Sequence, residues 1–184
     1  MNKILASLIA FSLASLAVHA NLTPLVPSEV YPNLSIIDET NVEQYRMFWK
    51  VINDEIQFEI HCKANGWVAF GISPYGDMFG ADIAIGWVAN NGVGSVRDTF
   101  SITYDAPVVD KKQDWVLLDS KQVNGFTLLK MKRKLNTLDT LEDIAIKNEL
   151  HRMIFAWSDD DPVNDNWEYH AEKRLTKTVR LLGA

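Results

Sequence analysis

The chain has 184 residues, of which 47% are hydrophobic and 23% charged, and its formal net charge is −6. This size and composition fit one globular domain with its own hydrophobic core. The acidic balance excludes a nucleic-acid-binding protein, which needs concentrated Lys and Arg.

Residues 1–20 have the pattern of a secretory signal peptide. Lys3 gives a short basic start, an apolar run continues to Val18, and Val18-His19-Ala20 forms a cleavage point. No later stretch is apolar and long enough to span a membrane. We therefore expect a secreted, extracellular protein.

The segment 21–42 contains three prolines in its first fifteen residues, "NLTPLVPSEVYPNLS". This composition predicts an extended N-terminal lead-in without regular structure. Its Asn33-Leu34-Ser35 tripeptide makes Asn33 a candidate N-glycosylation site.

From Tyr45 onward, short runs rich in β-branched and aromatic residues alternate with Gly, Asn and Asp. This pattern predicts strands at 45–52, 55–64, 66–73, 81–89, 96–102, 115–123, 126–135, 151–158 and 177–182. Asn65-Gly66 and Asn124-Gly125 indicate hairpin turns, because both central positions of such a turn need positive φ. Residues 43–184 are thus predicted to form one β-domain.

Only 137–150 resembles a helix, with Leu138, Leu141 and Ile144 at helical spacing. The sequence therefore predicts an all-β fold, a two-sheet antiparallel β-sandwich of immunoglobulin-like type with at most one short helix. The basic cluster "KMKRK" at 130–134 alternates along a strand and is expected at a solvated edge.

The single cysteine, Cys62, excludes an internal disulfide. Phe58, Ile60 and Cys62 alternate with polar residues, so Cys62 should be a buried, inert thiol. The alternative is an intermolecular bridge. His61 should face solvent or the second sheet, and His151 is expected to be structural.

Motifs for nucleophilic, nucleotide-dependent and zinc-dependent catalysis do not occur in this sequence. Met78 stands in the polar loop "SPYGDMFGAD", and His170 follows Trp167 and Tyr169. Met and His together can hold a haem iron on both faces. The alternative is a gap-filling methionine and a surface histidine.

Four blocks carry a family resemblance: "GWVAFGISPYGDMFGADIAIGWV", "KKQDW", "MIFAWSDDDP" and "YHAEKRLTKTVRLL". They resemble DOMON domains, and most closely the N-terminal domain of the dopamine β-hydroxylase-like (MOXD-type) monooxygenases, over residues 43–182. The resemblance implies a sandwich of about ten or eleven strands that serves as an exported haem- or sugar-binding module.

By the same resemblance, Met78 and His170 correspond to the axial ligands of haem b in the haem-binding members. Asp82 and Asp114 correspond to residues that hold a cation, and carboxylates suit a hard ion such as Ca²⁺. The alternative for Asp82 is a carboxylate that bonds local N–H groups.

The monooxygenase activity is not implied, because it depends on two copper sites in two further domains that follow the DOMON domain. We therefore expect a non-enzymatic, secreted, single-domain ligand-binding module that binds haem b and acts in electron transfer. The alternative is an extracellular interaction module without haem that binds a carbohydrate or a protein.

Overall fold

The structure is a computed structural model that describes residues 26–183. The predicted signal peptide at 1–20 lies outside the described residues. In the described part the strands are β1 (Asn33–Ile36), β2 (Tyr45–Ile52), β3 (Glu55–Cys62), β4 (Val68–Ser73), β5 (Asp82–Val88), β6 (Gly94–Phe100), β7 (Val108–Val109), β8 (Val116–Val123), β9 (Phe126–Lys134), β10 (Leu150–Trp157) and β11 (Arg174–Arg180). None of residues 26–183 belongs to a helix long and apolar enough to cross a membrane.

The strands form two antiparallel sheets. One has five strands in the order β1-β2-β3-β9-β8, and the other has six in the order β11-β10-β4-β5-β6-β7. The predicted two-sheet β-sandwich is therefore confirmed. All nine predicted strands are present with small shifts at their ends, and β1 and β7 were not predicted.

The core lies between the sheets and is built by period-two alternation. Phe58, Ile60 and Cys62 on β3 are each at most 1% exposed, and Cys62 is a free thiol. Aromatic contacts join the two sheets: the ring centre of Phe58 on β3 lies 5.0 Å from that of Phe70 on β4. Cys62 is thus part of the packed core, as predicted.

The two Asn-Gly pairs predicted to form hairpin turns have different roles. Asn124 and Gly125 have φ of 52° and 78° and close the β8–β9 hairpin, as predicted. Asn65-Gly66 instead connects β3 to β4, which belong to different sheets. A Cβ on Gly66 would lie 2.2 Å from the backbone oxygen of Asp160. Glycine is required there by a close backbone approach, so the hairpin prediction at this pair was wrong.

The predicted helix at 137–150 does not form, and residues 136–149 are irregular. Leu141 is 93% exposed, so the expected apolar face is not buried. Backbone groups of the segment bond to distant residues: Ile144 N–H donates to Asp82 Oδ2 at 2.8 Å, and the Ile146 N–H donates to the Leu135 carbonyl at 2.7 Å. These tertiary bonds replace the helical ones.

The lead-in covers the outer face of the five-stranded sheet. Within it β1 pairs with β2, so this part of the lead-in has regular structure. Ser28 N–H donates to Glu59 Oε1 at 2.8 Å, and the same oxygen lies 2.7 Å from His61 Nε2. His61 is 1% exposed, because the lead-in shields the outer side of β3 from solvent.

Candidate functional site

The outer face of the six-stranded sheet carries a second apolar cluster, separate from the core. We call it the outer apolar face; it consists of Trp67, Ala69, Ala81, Ile83, Ile85 and Trp87, with Ala89, Ile154, Ala156 and Trp167 packed against them. Ile83 and Ile85 are 4% and 2% exposed. The 158–173 connection between β10 and β11 contributes Trp167, whose ring lies 5.7 Å from that of Trp87.

His170 lies in the same connection and packs against the outer apolar face. Its ring centroid lies 6.4 Å from that of Trp67, and Nδ1 lies 2.9 Å from the Ala171 carbonyl oxygen. Because a carbonyl oxygen only accepts, Nδ1 must carry the proton. In the neutral ring, Nε2 then keeps a free lone pair, which is the arrangement of a metal-binding histidine.

The Ala171 carbonyl is itself held in place. It also accepts a hydrogen bond from Arg174 Nη1 at 2.9 Å, and Ala171 has a positive φ of 49°. The Lys173 N–H donates to the His170 carbonyl at 2.9 Å. A tight turn therefore fixes the carbonyl that orients the His170 ring.

Trp67 supplies an unpaired donor next to His170. Its Nε1–H is buried and has no hydrogen-bond partner among the described residues. A buried donor without an acceptor is costly. An acceptor on a molecule bound at the outer apolar face would satisfy it.

Met78 lies half-buried in the 74–81 connection between β4 and β5. The connection is ordered by Ser73 Oγ, which accepts from the N–H groups of Tyr75, Gly76 and Asp77 at 3.2, 2.9 and 3.1 Å. The Met78 carbonyl accepts from the Ala81 N–H at 3.0 Å. Met78 is thus carried by a structured turn rather than by a core strand.

Met78 and His170 lie beyond opposite ends of β4. Met78 follows Ser73 at the end of the strand, whereas His170 contacts Trp67 just before its start. Strand β4 has six residues, so its two ends lie about 20 Å apart. One iron would need both side chains to reach the centre of the face, and their joint role as ligands stays a prediction.

Asp82 points between the sheets and forms an ion pair with Arg133. Its Oδ2 accepts from Arg133 Nη1 at 2.9 Å and from Ile144 N–H at 2.8 Å. The two side chains are 3% and 1% exposed, and the Arg133 guanidinium lies 5.1 Å from the ring centre of Trp115. Because β5 and β9 belong to different sheets, this pair joins the two layers.

Asp98 and Asp143 complete a buried acidic cluster around Asp82, with one carboxylate oxygen from each within 4.8 Å of the others. Burial raises the pKa of Asp98 to about 8, and the charges of Asp82 and Asp143 add to this effect. Burial likewise raises the pKa of Asp82 to about 6, although Arg133 opposes it. Asp98 is therefore largely protonated at neutral pH.

Asp114, the second predicted cation ligand, lies beside this cluster. Its N–H donates to Asp98 Oδ2 at 3.1 Å, and its own Oδ2 lies 2.9 Å from Lys112 Nζ. Asp82 and Asp114 thus each have a protein cation as partner. A cation held by these two residues stays a prediction.

Arg133, Asp98 and Asp143 were not predicted from the sequence. The expectation that "KMKRK" lies at a solvated edge was wrong for Arg133, because β9 lies between β3 and β8. The signal was present, since Arg133 shares the inward phase of the buried Leu129 and Met131.

Asn33, the candidate glycosylation site, lies half-buried in β1. Its Nδ2 donates to the Trp49 carbonyl at 3.2 Å. Its modification stays a prediction.

The two sheets define a small antiparallel β-sandwich domain. The family model described as the DOMON domain matches residues 41–158. The chain belongs to the DOMON domain family, in agreement with the sequence resemblance.

Curated relatives agree with this assignment. The chain is 39% identical over 123 residues to MOXD1 homolog 2 of Drosophila melanogaster, an alignment that covers 65% of this chain and 16% of that protein. It is 31% identical over 156 residues to DBH-like monooxygenase protein 1 of Mus musculus, covering 85% of this chain and 25% of that protein. The chain therefore spans between a sixth and a quarter of these two relatives.

Among solved structures, the fold is similar to the cytochrome domain of Myriococcum thermophilum cellobiose dehydrogenase. The TM-score is 0.65, with 81% of this chain and 82% of that domain covered. The sequence identity is 14%, so this similarity concerns the fold alone.

Proposed function

We propose that the chain is a secreted DOMON domain that binds haem b and transfers electrons. The observation that carries the proposal is the state of His170, whose proton is fixed on Nδ1 by the Ala171 carbonyl. This leaves Nε2 as a donor for iron. The fold similarity to a cytochrome domain supports the same function.

The residues at the outer apolar face fit haem in their chemistry. Met78 and His170 would hold the haem iron, and the apolar side chains of the face would exclude water. The buried Trp67 Nε1–H could donate to a polar group of the bound molecule. Haem with Met and His ligands supplies one-electron transfer at a raised potential rather than oxygen activation.

We further propose that this chain has no catalytic activity of its own. The name of one relative, DBH-like monooxygenase protein 1, describes a monooxygenase, but this chain aligns with only 25% of that protein. Secretion rests on the signal-peptide pattern of residues 1–20.

The test is absorption spectroscopy of the purified protein after addition of haem b. We expect one haem per chain with a six-coordinate, low-spin spectrum. His170→Gln and Met78→Leu should each remove one ligand and convert bound haem to a five-coordinate, high-spin form. The change should appear without loss of fold, because both side chains are only half-buried.

Matched controls are Glu172→Gln and Phe79→Leu, which alter exposed neighbours of the two candidates. Both controls should keep the wild-type spectrum. Absence of a Soret band from the wild-type protein, or an unchanged spectrum in His170→Gln, would refute the haem proposal.

A second candidate function is binding of a carbohydrate or an extracellular protein without haem. Five of the six tryptophans are at most 9% exposed, so they offer no open platform for a sugar. The exposed rings of Tyr75 and Phe79, stacked with centroids 6.1 Å apart, are the feature that favours this candidate. Glycan-array binding that is lost in Tyr75→Ala would support it.

A further inference from the structure

A second acidic cluster shares no residue with the cluster around Asp82. It consists of Asp110, in the connection from β7 to β8, and Asp139 and Glu142, in the irregular 136–149 segment. One carboxylate oxygen from each lies within 4.8 Å of the others. Three carboxylates this close repel one another unless a proton or a cation lies between them.

Asp110 carries the observation that points to a ligand. Asp110 is only 4% exposed, and its Oδ2 has no hydrogen-bond partner among the described residues. The other oxygen, Oδ1, accepts from Lys112 N–H at 2.7 Å. One oxygen is therefore anchored and the other is buried without a partner.

Asp139 is held in the same way. Its Oδ1 accepts from the N–H groups of Leu141 and Glu142 at 3.0 and 3.1 Å. This leaves Oδ2 unused by the turn. Backbone groups thus hold two of the three carboxylates in place before any ligand arrives.

The charges around this cluster differ from those around Asp82. Arg133 provides a cation to Asp82, and Lys112 Nζ lies 2.9 Å from Asp114. Within residues 26–183, no side-chain nitrogen of a Lys or Arg comes within 4.0 Å of a carboxylate oxygen of Asp110, Asp139 or Glu142. Burial and the neighbouring Glu142 raise the pKa of Asp110 to about 6, as expected for a carboxylate that lacks a positive partner.

We propose that Asp110, Asp139 and Glu142 form a binding site for a hard divalent cation of the Ca²⁺ type. Oxygen ligands, three of them anionic, suit such an ion, and water would complete its coordination. The ion would connect the 136–149 segment to the β7–β8 connection. The site is separate from the predicted Asp82–Asp114 site and does not depend on haem.

The test is calorimetric titration of the mature, EDTA-treated protein with CaCl₂, followed by MgCl₂ in a separate series. We expect Glu142→Gln and Asp139→Asn each to weaken Ca²⁺ binding at least about tenfold. Glu149→Gln, an exposed carboxylate in the same segment, should leave it unchanged. Weaker binding of Mg²⁺ is expected, because Mg²⁺ requires a stricter geometry.

Asp114→Asn separates this site from its neighbour. The proposal requires Glu142→Gln to weaken binding at least tenfold more than Asp114→Asn does, and a smaller difference overturns it. Absence of Ca²⁺ binding by the wild-type protein also overturns it. Asp139 and Glu142 are half-buried, so both variants should fold, and thermal melting in EDTA checks this. If one variant fails to fold, the other decides.

Discussion

Replacing Asp98 with asparagine is expected to stabilise the protein much more at pH 7 than at pH 5. Asp98 is 1% exposed and lies in the cluster with Asp82 and Asp143. Burial and these neighbouring charges raise its pKa from 3.8 to about 8. The folded protein therefore keeps a proton that the unfolded chain releases above pH 3.8.

The sign follows from this linkage. Below pH 3.8, Asp98 is protonated in both the folded and the unfolded protein, and its raised pKa does not change the free energy of unfolding. As the pH rises from 3.8 to about 8, only the unfolded chain releases this proton, so the free energy of unfolding falls. The free energy of unfolding falls by about 1.4 kcal/mol per pH unit within this window. Between pH 5 and pH 7 the wild-type protein therefore loses about 3 kcal/mol that Asp98→Asn does not lose.

The assay is urea unfolding at pH 5, 6 and 7 in the presence of EDTA. Asparagine keeps an acceptor for the Asp114 N–H, which bonds Asp98 at 3.1 Å. Other carboxyls titrate in both proteins, so the difference between the two isolates residue 98. Asp54→Asn in the exposed β2–β3 turn serves as control and should show no such trend. A stability difference that stays constant with pH, or falls as the pH rises, would refute the reasoning.

Two further predictions concern packing and the buried ion pair. Leu141→Ser should change the free energy of unfolding by less than about 0.5 kcal/mol, because Leu141 is 93% exposed. Ile146 is 5% exposed, so Ile146→Ala should lower the free energy of unfolding by about 2–4 kcal/mol. Equal losses for Leu141→Ser and Ile146→Ala in urea unfolding would contradict the irregular conformation of the 136–149 segment. Arg133→Met should cost about 3–5 kcal/mol, since it leaves buried carboxylates without a cation. Lys134→Met, next to it but exposed, should have little effect, and similar losses in both variants would argue against the ion pair.

The sandwich was predictable because its strands alternate with period two, and this pattern is local. Phe58, Ile60 and Cys62 reveal the inward face of β3 without knowledge of any partner strand. The helix prediction for 137–150 failed because helical spacing is a local pattern, whereas the hydrogen bonds that fix this segment join it to residues distant in the sequence. Ile144 bonds to Asp82, which lies 62 residues away.

The candidate sites were predictable only in part, for a related reason. Family resemblance picked out Met78, His170, Asp82 and Asp114, yet no sequence pattern showed that Arg133 crosses the core to Asp82. The phase that Arg133 shares with Leu129 and Met131 indicates an inward side chain, but its partner on β5 becomes evident only from the packing of the two sheets. The grouping of Asp110 with the 136–149 segment likewise depends on tertiary contacts.

Strand β5 shows how one sandwich can carry two chemically different sites. Successive residues point to opposite sides of a sheet, so Asp82 faces the core while Ile83 and Ile85 face outward. Inside, Arg133 and the Ile144 N–H offset the buried charge of Asp82. Outside, apolar packing from the 158–173 connection covers the face. The partners of Asp82 come from β9 and the 136–149 segment. The ion pair that joins the two sheets therefore shares no residue with the outer apolar face.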